Sequence, residues 1–569
     1  MQKNIFYASI VLVFLAMSCK EPAPPMTDEF SEEIRLNQIG YYPNAHKIAT
    51  IVNAEEGIFL VVKDSIDVVF TGALSENKNW ELAGEHLRTA DFSEIMKEGN
   101  YNIYVPGKGY SYPFEIKPNI YKEAFLGSIK GLYYQRAGMA LEEKYAGKWH
   151  RPAGHPDDSV LYHRSSKISR EIVNSPKGWY DAGDYNKYIV NATFPLGQFF
   201  LLHQQYPDIV KDGALNIPES NNGVSDYLDE LKYEMDWALT MQDDDGGLYH
   251  KLTTLNFEGM VMPHLATAQR YIVGKGTAAT LDFAGCAAQA YRVFDAIDKA
   301  YAHKCLEAAK MAYAWAQDNP NVAFVNPPDV STGQYGDRDF KDEFFWANAE
   351  LFISTQDQKY LNNLDDATSF KFRPGDNWTA FMRYTGVFSL LDNKEIIPES
   401  LYNNLRTGVL RLADELVARG NNTDYFQPID DFQWGSNSDV LNAALIMAQG
   451  YRLEPKPEYL KGVQQATDYI FGNNANGYSY LTGFGDKTPM FIHHRQSAGD
   501  DVEEPVPGLL SGGPNSRLQD ASSGTIYPEN PSPMKSWVDQ EPSYASNEIC
   551  LNWNSPLTYV LGFLERESN

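Results

Sequence analysis

VSDYLDELKYEMDWALTMQ, residues 224–242, carries Leu228, Leu231, Met235 and Leu239 three or four positions apart, which sets the apolar side chains on one face of a helix. TAATLDFAGCAAQAYRVFDAI, residues 277–297, repeats the period with small residues. Similar stretches lie near Tyr301–Gln317, Asp342–Thr355, Asn377–Leu391, Glu399–Arg419, Ser438–Gly450, Pro457–Phe471 and Glu548–Arg566, and strand patterns are scarce beyond Pro118. Long loops rich in Gly, Pro and Asp join these helices. A four-helix bundle needs only short connections, so a closed ring of helical hairpins fits better, with function in the loops.

Upstream the period changes. Ile34–Gln38, Lys47–Val52, Ile58–Val62, Asp67–Thr71, His86–Phe92, Asn100–Val105 and Tyr112–Ile116 read as short strands between turns, which predicts a small immunoglobulin-like sandwich over 34–117. The helical domain then occupies 118–569. Before both, Lys3 precedes an apolar run from Ile5 to Met17 that is too short to span a bilayer and suits a signal peptide, residues 1–18. Ala16-Met17-Ser18-Cys19 resembles a bacterial lipobox, so Cys19 is the expected lipidation site. Residues 19–33 form a tether whose Lys20-Glu21 start is similar to the export tag of surface lipoproteins. The expected location is the outer membrane, surface-exposed and held only by the lipid. Cys286, Cys305 and Cys550 show no C-x-x-C spacing and read as buried hydrophobes.

The formal charge of −27 repels phosphate backbones and anionic headgroups, which excludes nucleic acid as a partner and favours a neutral ligand. Aromatic residues make up 13% of the chain, enough to supply stacking surfaces for sugar rings as well as a core.

Three loop motifs carry candidate chemistry. In GWYDAGDYNKY, residues 178–188, Asp181 and Asp184 stand three apart around Ala-Gly and can share a water, one accepting its proton and the other orienting it. A helix cap or a calcium loop would use the same residues. SYLTGFGDKTPMFIHHR, residues 479–495, ends in His493, His494 and Arg495. The first and last of these, two apart in an extended loop, point to one side and can bond sugar hydroxyls. In WVDQEPSYASNEICLNWNS, residues 537–555, Glu548 lies among Trp537, Tyr544 and Trp553 and reads as the opening of the last helix. Desolvation raises such a carboxyl and suits it to general-acid work, against the opposing pull of a helix N-terminus.

Together and in this order the three motifs resemble family nine of the glycoside hydrolases, the inverting β-1,4-glucanases. GGLYHKLTTLNFEGMVMPH at 246–264 and TAATLDFAGCAAQAYRVF at 277–294 are also similar to that family, and IRLNQIGYYPNAHKIA at 34–49 to the immunoglobulin-like domain of one subgroup. The resemblance implies a mainly α chain, an (α/α)6 barrel behind the sandwich with an open cleft across its mouth. It implies Asp184 as general base, Asp181 as second holder of the water and Glu548 as general acid. His493 and Arg495 would bind the sugar, Asp539 and Tyr544 would line or orient the acid's surroundings, and Trp434 in FQWGSNS would stack on the glucan. Cys550 stands where relatives carry Ser, Thr or Ala, a change expected to be neutral on the helix beyond the acid.

No cofactor is expected for the chemistry. Relatives hold a structural calcium through an Asp-Glu pair, matched by Asp342-Glu343 with Asp376 as third ligand, although Arg338-Asp339 replace the usual Ser-Gly carbonyl donors. Gly138 and Gly154 stand where some relatives have zinc-binding cysteines, leaving only His155, so no zinc is expected. The expected activity is endo-hydrolysis of β-1,4-glucosidic bonds in cellulose-like glucans, xyloglucan or mixed-linkage glucan, by a monomer. The competing readings are an exo-acting β-glucosidase or glucosaminidase on the same fold, and a non-catalytic surface glycan-binding protein.

Overall fold

The computed structural model describes residues 26, 29–168, 171–364 and 370–568. The signal-peptide and Cys19 expectations lie outside these residues. None of the described helices is long and apolar enough to cross a membrane.

The amino-terminal domain is a two-sheet sandwich. One sheet orders Ile34–Arg35, Ile48–Val52, Glu85–Asp91 and Lys78–Trp80; the other runs from Gly40–Tyr41 through Phe114–Ile116, Gly99–Val105 and Ile58–Lys63 to Asp67–Ala73. Ile51, Phe59, Val61, Ile103, Phe114 and Ile116 fill the space between them. Three strands escape the sequence reading, Gly40–Tyr41, Lys78–Trp80 and Gly109–Tyr110, because two or three residues are too few to show alternation. The predicted strand Ile34–Gln38 stops at Arg35, since Asn37 and Gln38 turn into the barrel. The Asn37 amide donates to Asp468 and to the Tyr121 hydroxyl, each at 2.8 Å. The Gln38 side chain donates to the Gly477 carbonyl at 3.0 Å and accepts from Lys487 N–H at 2.8 Å, which ties the sandwich to the loop leading to His493.

Behind it stands the (α/α)6 barrel. Six inner helices, Ile189–Gln205, Thr277–Phe294, Lys341–Thr355, Met382–Asp392, Ser436–Leu453 and Leu551–Glu567, are buried over most of their residues. Between them in the chain run the outer helices Lys122–Tyr134, Asp226–Thr240, Lys299–Asp318, Glu399–Asn421 and Pro457–Ile470, with the short Gln358–Asn362 in the remaining outer place. The outer helices carry the amphipathic stripe first seen in residues 224–242. The inner ones are buried on nearly every side and mix apolar and small residues with buried polar ones such as Asp282, Glu350 and Asn442.

Trp346 shows why small residues are needed there. A Cβ on Gly197 or Gly285, from two other inner helices, would lie 2.5 and 2.8 Å from the Trp346 ring. Only glycine lets those backbones close on the indole.

The predicted helix Asn377–Leu391 divides into Asn377–Ala380 and Met382–Asp392. The last helix begins at Leu551 and not at Glu548. A five-stranded sheet also flanks the barrel mouth, in the order Ile172–Val173, Val160–Tyr162, Tyr271–Lys275, Tyr249–Thr253, Lys187–Tyr188. Its strands are short and split by long loops, so their periodicity is weak in the sequence.

Candidate active site

Backbone pairing brings the three motifs together. Ala182 bridges Cys550, and His493 bridges Glu548. Leu551 N–H donates to the Asp181 carbonyl and Arg495 N–H to the Gly183 carbonyl, both at 3.0 Å. Gly183 makes the convergence sterically feasible: a Cβ there would lie 1.9 Å from the His493 carbonyl oxygen and 3.2 Å from Glu548 Oε1. The Gly of DAGDY is therefore the point at which the other two loops touch the aspartate loop.

Asp181 and Asp184 are 2% and 4% exposed, far drier than ordinary carboxylates. Asp181 accepts from Tyr335 hydroxyl at 2.6 Å and from the Asn191 amide at 2.8 Å. Asp184 accepts from the Asn186 amide and from the Tyr188 hydroxyl. Burial raises both, and the charge of Asp184 adds to the effect on Asp181, which is pushed up to about 8. Arg495 and the two donors oppose the rise at Asp184. Of the two, Asp184 has Arg495 beside it as well as two donors, so its surroundings favour the charged form that a base needs.

Glu548 accepts from Gly183 N–H at 3.3 Å. Burial and then the charges of Asp184 and Asp181 hold it well above the usual carboxylate range. It lies on an extended segment before the helix, so the expected helix-terminus effect does not enter. Arg495 stands against both Asp184 and Glu548, so one negative charge can pass from the first to the second within the field of a single guanidinium.

Arg495 opens the short helix Arg495–Gly499, which departs from the extended loop expected for it. Its guanidinium donates to the carbonyls of Gly183 and Glu258, both at 2.9 Å. The His493 Nδ1 faces the Glu541 carbonyl at 2.8 Å, so the proton sits on Nδ1 and Nε2 is left as an acceptor. Burial pushes this imidazole down to about 4, keeping it neutral. His494 is enclosed, bonded to Ser497 and Gln135. Asp539 acts as a brace: its carboxylate accepts from the backbone N–H of Met490 and Phe491, both at 2.8 Å, and so fixes the loop that carries His493. Trp434 is 39% exposed, with its ring 5.3 Å from Tyr544, which in turn lies 6.1 Å from His493. These three rings form a wall running from the surface to the catalytic carboxyls.

Cys550 corrects an expectation. It precedes the helix, and its Sγ lies 3.1 Å from Asn191 Nδ2, the donor that also serves Asp181. The residue belongs to the surroundings of Asp181 and is not a neutral helix position. Sequence reading missed Asn191 and Tyr335, which lie 10 and 154 positions from Asp181. Asn186 stands inside GWYDAGDYNKY, and its amide was the one readable signal.

The calcium ligand set is not assembled as expected. Asp376 precedes the short helix Asn377–Ala380 without a side-chain cap bond, and its charge acts on Asp439. The carboxyls that face Asp342 and Glu343 are Asp282 and Asp337. Burial raises all four, and repulsion within the group adds to the rise at Asp282, Asp342 and Glu343. Unpartnered oxygens on Asp282, Asp342 and Glu343 would suit a hard cation, but no group of three His, Cys, Asp or Glu among the described residues is arranged to hold a metal. The expected trio does not fit, and no chemistry is assigned to it. At the other metal expectation, Gly138 N–H donates to the Gly154 carbonyl at 2.9 Å, and His155 Nδ1 bonds the Tyr180 hydroxyl.

The glycosyl hydrolase family 9 model matches residues 121–561, and that of the cellulase N-terminal ig-like domain residues 29–110. The chain belongs to glycosyl hydrolase family 9. It is similar to a xyloglucan-specific endo-beta-1,4-glucanase, BoGH9A, of Bacteroides ovatus, with 40% identity over 98% of this chain and 97% of that one. Endoglucanase D of Acetivibrio thermocellus is 36% identical over 100% of this chain and 87% of its own. Among solved structures, Bacteroides ovatus GH9 superposes with a TM-score of 0.88 at 38% identity, covering 95% of this chain and 100% of that one. AaCel9A in complex with cellobiose-like isofagomine reaches 0.85 at 30% identity, covering 94% and 99%. The chain is thus a family 9 glycoside hydrolase, and family 9 chemistry needs no cofactor.

Proposed function

We propose that this family 9 enzyme is an inverting endo-β-1,4-glucanase whose preferred polymer is xyloglucan. The observation that carries the reading is the direct bonding of the Asp181–Asp184 loop to the segments that carry Glu548 and His493: Ala182 bridges Cys550, Gly183 N–H donates to the Glu548 carboxyl, and Arg495 N–H donates to the Gly183 carbonyl. It sets an ionised carboxylate and a protonated carboxyl on one site. Asp184 takes the proton of a water that Asp181 helps to hold, and Glu548 gives its proton to the departing glycosidic oxygen. His493 Nε2 accepts from a sugar hydroxyl, and Trp434 and Tyr544 offer faces to pyranose rings.

Endo action is supported by the similarity to endoglucanases. The long segment 499–536 joins the wall of rings: Ser516 N–H donates to the Phe432 carbonyl at 3.0 Å, and the Tyr544 hydroxyl donates to the Gln519 carbonyl at 3.2 Å. The preference for xyloglucan rests on the similarity to BoGH9A. Xyloglucan, mixed-linkage glucan and carboxymethylcellulose are compared by viscosity and by chromatography of early products. A rapid fall in viscosity with few new reducing ends, fastest on xyloglucan, is expected. Glucose or a single short product from the outset would favour the exo reading and overturn this one.

We further propose that Cys19 anchors the enzyme in the outer membrane, on the side that meets polymeric substrate; the lipobox-like Ala16–Cys19 supports this. Cys19→Ala should move the protein from the membrane fraction to the soluble fraction. Unchanged retention would defeat the assignment.

A further inference from the structure

Lys251 lies in GGLYHKLTTLNFEGMVMPH, a stretch to which the chemistry above gives no role, yet its side chain is wholly buried beside the catalytic loop. It sits on the strand Tyr249–Thr253, directly opposite Tyr188 in the antiparallel pairing, with its ammonium 5.5 Å from that ring. Such cross-strand partners share one face of a sheet. The Tyr188 hydroxyl reaches Asp184, so a single tyrosine separates the lysine from the base.

The partners of the ammonium come from one loop, 326–335. Nζ donates to Asn326 Oδ1 at 2.7 Å, the Gly333 carbonyl at 2.8 Å and Thr332 Oγ1 at 3.0 Å. Three close acceptors match the three N–H bonds of an ammonium, and none of the three is ionised. The loop held in this way contributes to both aspartates. Gly333 N–H donates to the Tyr188 hydroxyl at 3.1 Å, and Tyr335 donates to Asp181 at 2.6 Å. Among the described residues, the charged or titratable groups facing Lys251 are Asp184 and Asp181 from the catalytic loop, Tyr188 across the sheet and His250 on its own strand. Burial holds His250 neutral, down to about 3. The two aspartates are therefore the only anions the ammonium meets there.

We propose that Lys251 is a positioning residue of the catalytic base: its ammonium clamps loop 326–335 so that Tyr188 and Tyr335 reach the two aspartates, and its charge faces Asp184, the member of the pair that acts as base. The proposal rests on Asp184 being the base. Desolvation pushes Lys251 down to about 7, while both aspartates work to keep it charged, so the same pairing holds seen from the lysine.

The acid limb of kcat/KM reports ionisation of the base in the free enzyme. Removing a facing cation destabilises the carboxylate, raises its pKa and moves that limb to higher pH. Full-chain Lys251→Met should therefore show an acid limb shifted upward by roughly half a unit or more, with kcat lowered about tenfold. Lys251→Arg preserves the charge and should keep the wild-type limb even where its bulk lowers turnover. Melting curves of each variant establish that it folds. A limb in folded Lys251→Met that coincides with wild type would overturn the proposal. Should Lys251→Met fail to fold, Lys251→Arg decides alone: a limb displaced despite the retained charge would overturn it. Asp184→Ala is assayed in the same series, and persistence of its activity would sink the base assignment separately.

Discussion

Asp184→Ala is expected to lower kcat on soluble β-glucan by roughly a thousandfold or more, while leaving the fold and substrate binding largely in place. The water that attacks the anomeric carbon must lose a proton as it does so, and general-base help of this kind contributes about 10²–10⁴ in rate. Asp184 is the carboxylate suited to it. It accepts from Tyr188 and Asn186 and stands beside Arg495, surroundings that favour its charged form, whereas Asp181 is held up to about 8 by burial and by Asp184 itself. Asp181 is the poorer substitute, because Asn191 and Tyr335 bond one of its oxygens each, whereas both donors to Asp184 meet the same oxygen. Proton NMR of the wild-type reaction gives the complementary result. Attack by a base-activated water on the face opposite the leaving group releases the α-anomer first from a β-linked glucan. Early β-anomer would mean direct attack by a carboxylate, and the role given to Asp184 would fall.

The second large effect depends on the leaving group. Glu548→Gln should lose about a thousandfold on xyloglucan or cellodextrins, whose departing alcohol must be protonated, and little on an aryl cellobioside with a strongly acidic phenol. The cause is the raised pKa of Glu548, driven first by burial and next by Asp184 and Asp181. A carboxyl raised in this way keeps its proton while Asp184 is ionised. Activity then falls on the alkaline side as Glu548 loses that proton, so the basic limb of the wild-type profile should vanish when the activated substrate is used. Equal losses on both substrates would show that Glu548 does something other than protonate the leaving group.

Most of the barrel's helices were readable, the outer ones from an apolar stripe and inner ones such as Thr277–Phe294 from an Ala-rich apolar period. Residues 224–242 reveal themselves because Leu228, Leu231 and Met235 alternate with Asp and Lys, and the helix observed is Asp226–Thr240, capped by Ser225. Ile189–Gln205 escaped the reading: it is buried over most of its length and has no wet face to set a period. Its Gly197 makes sense only beside Trp346, which arrives from a helix some 150 residues later.

The same division runs through the active site. The amino-acid sequence by itself determined that two aspartates three apart, a His-x-Arg and an aromatic-flanked Glu occur in an order shared with family nine, because short-range spacing and residue type survive in a linear string. It also determined the acidic charge that excludes nucleic acid and the change from strands to helices near Pro118. Only the tertiary structure decided which neighbours tune those carboxyls. Tyr335, Asn191, Cys550 and Lys251 come from separate elements, and a pKa depends on burial and on charges a few ångströms away, whatever their distance along the chain. It likewise moved Glu548 off the last helix, because helix ends are set by packing that spacing alone does not encode.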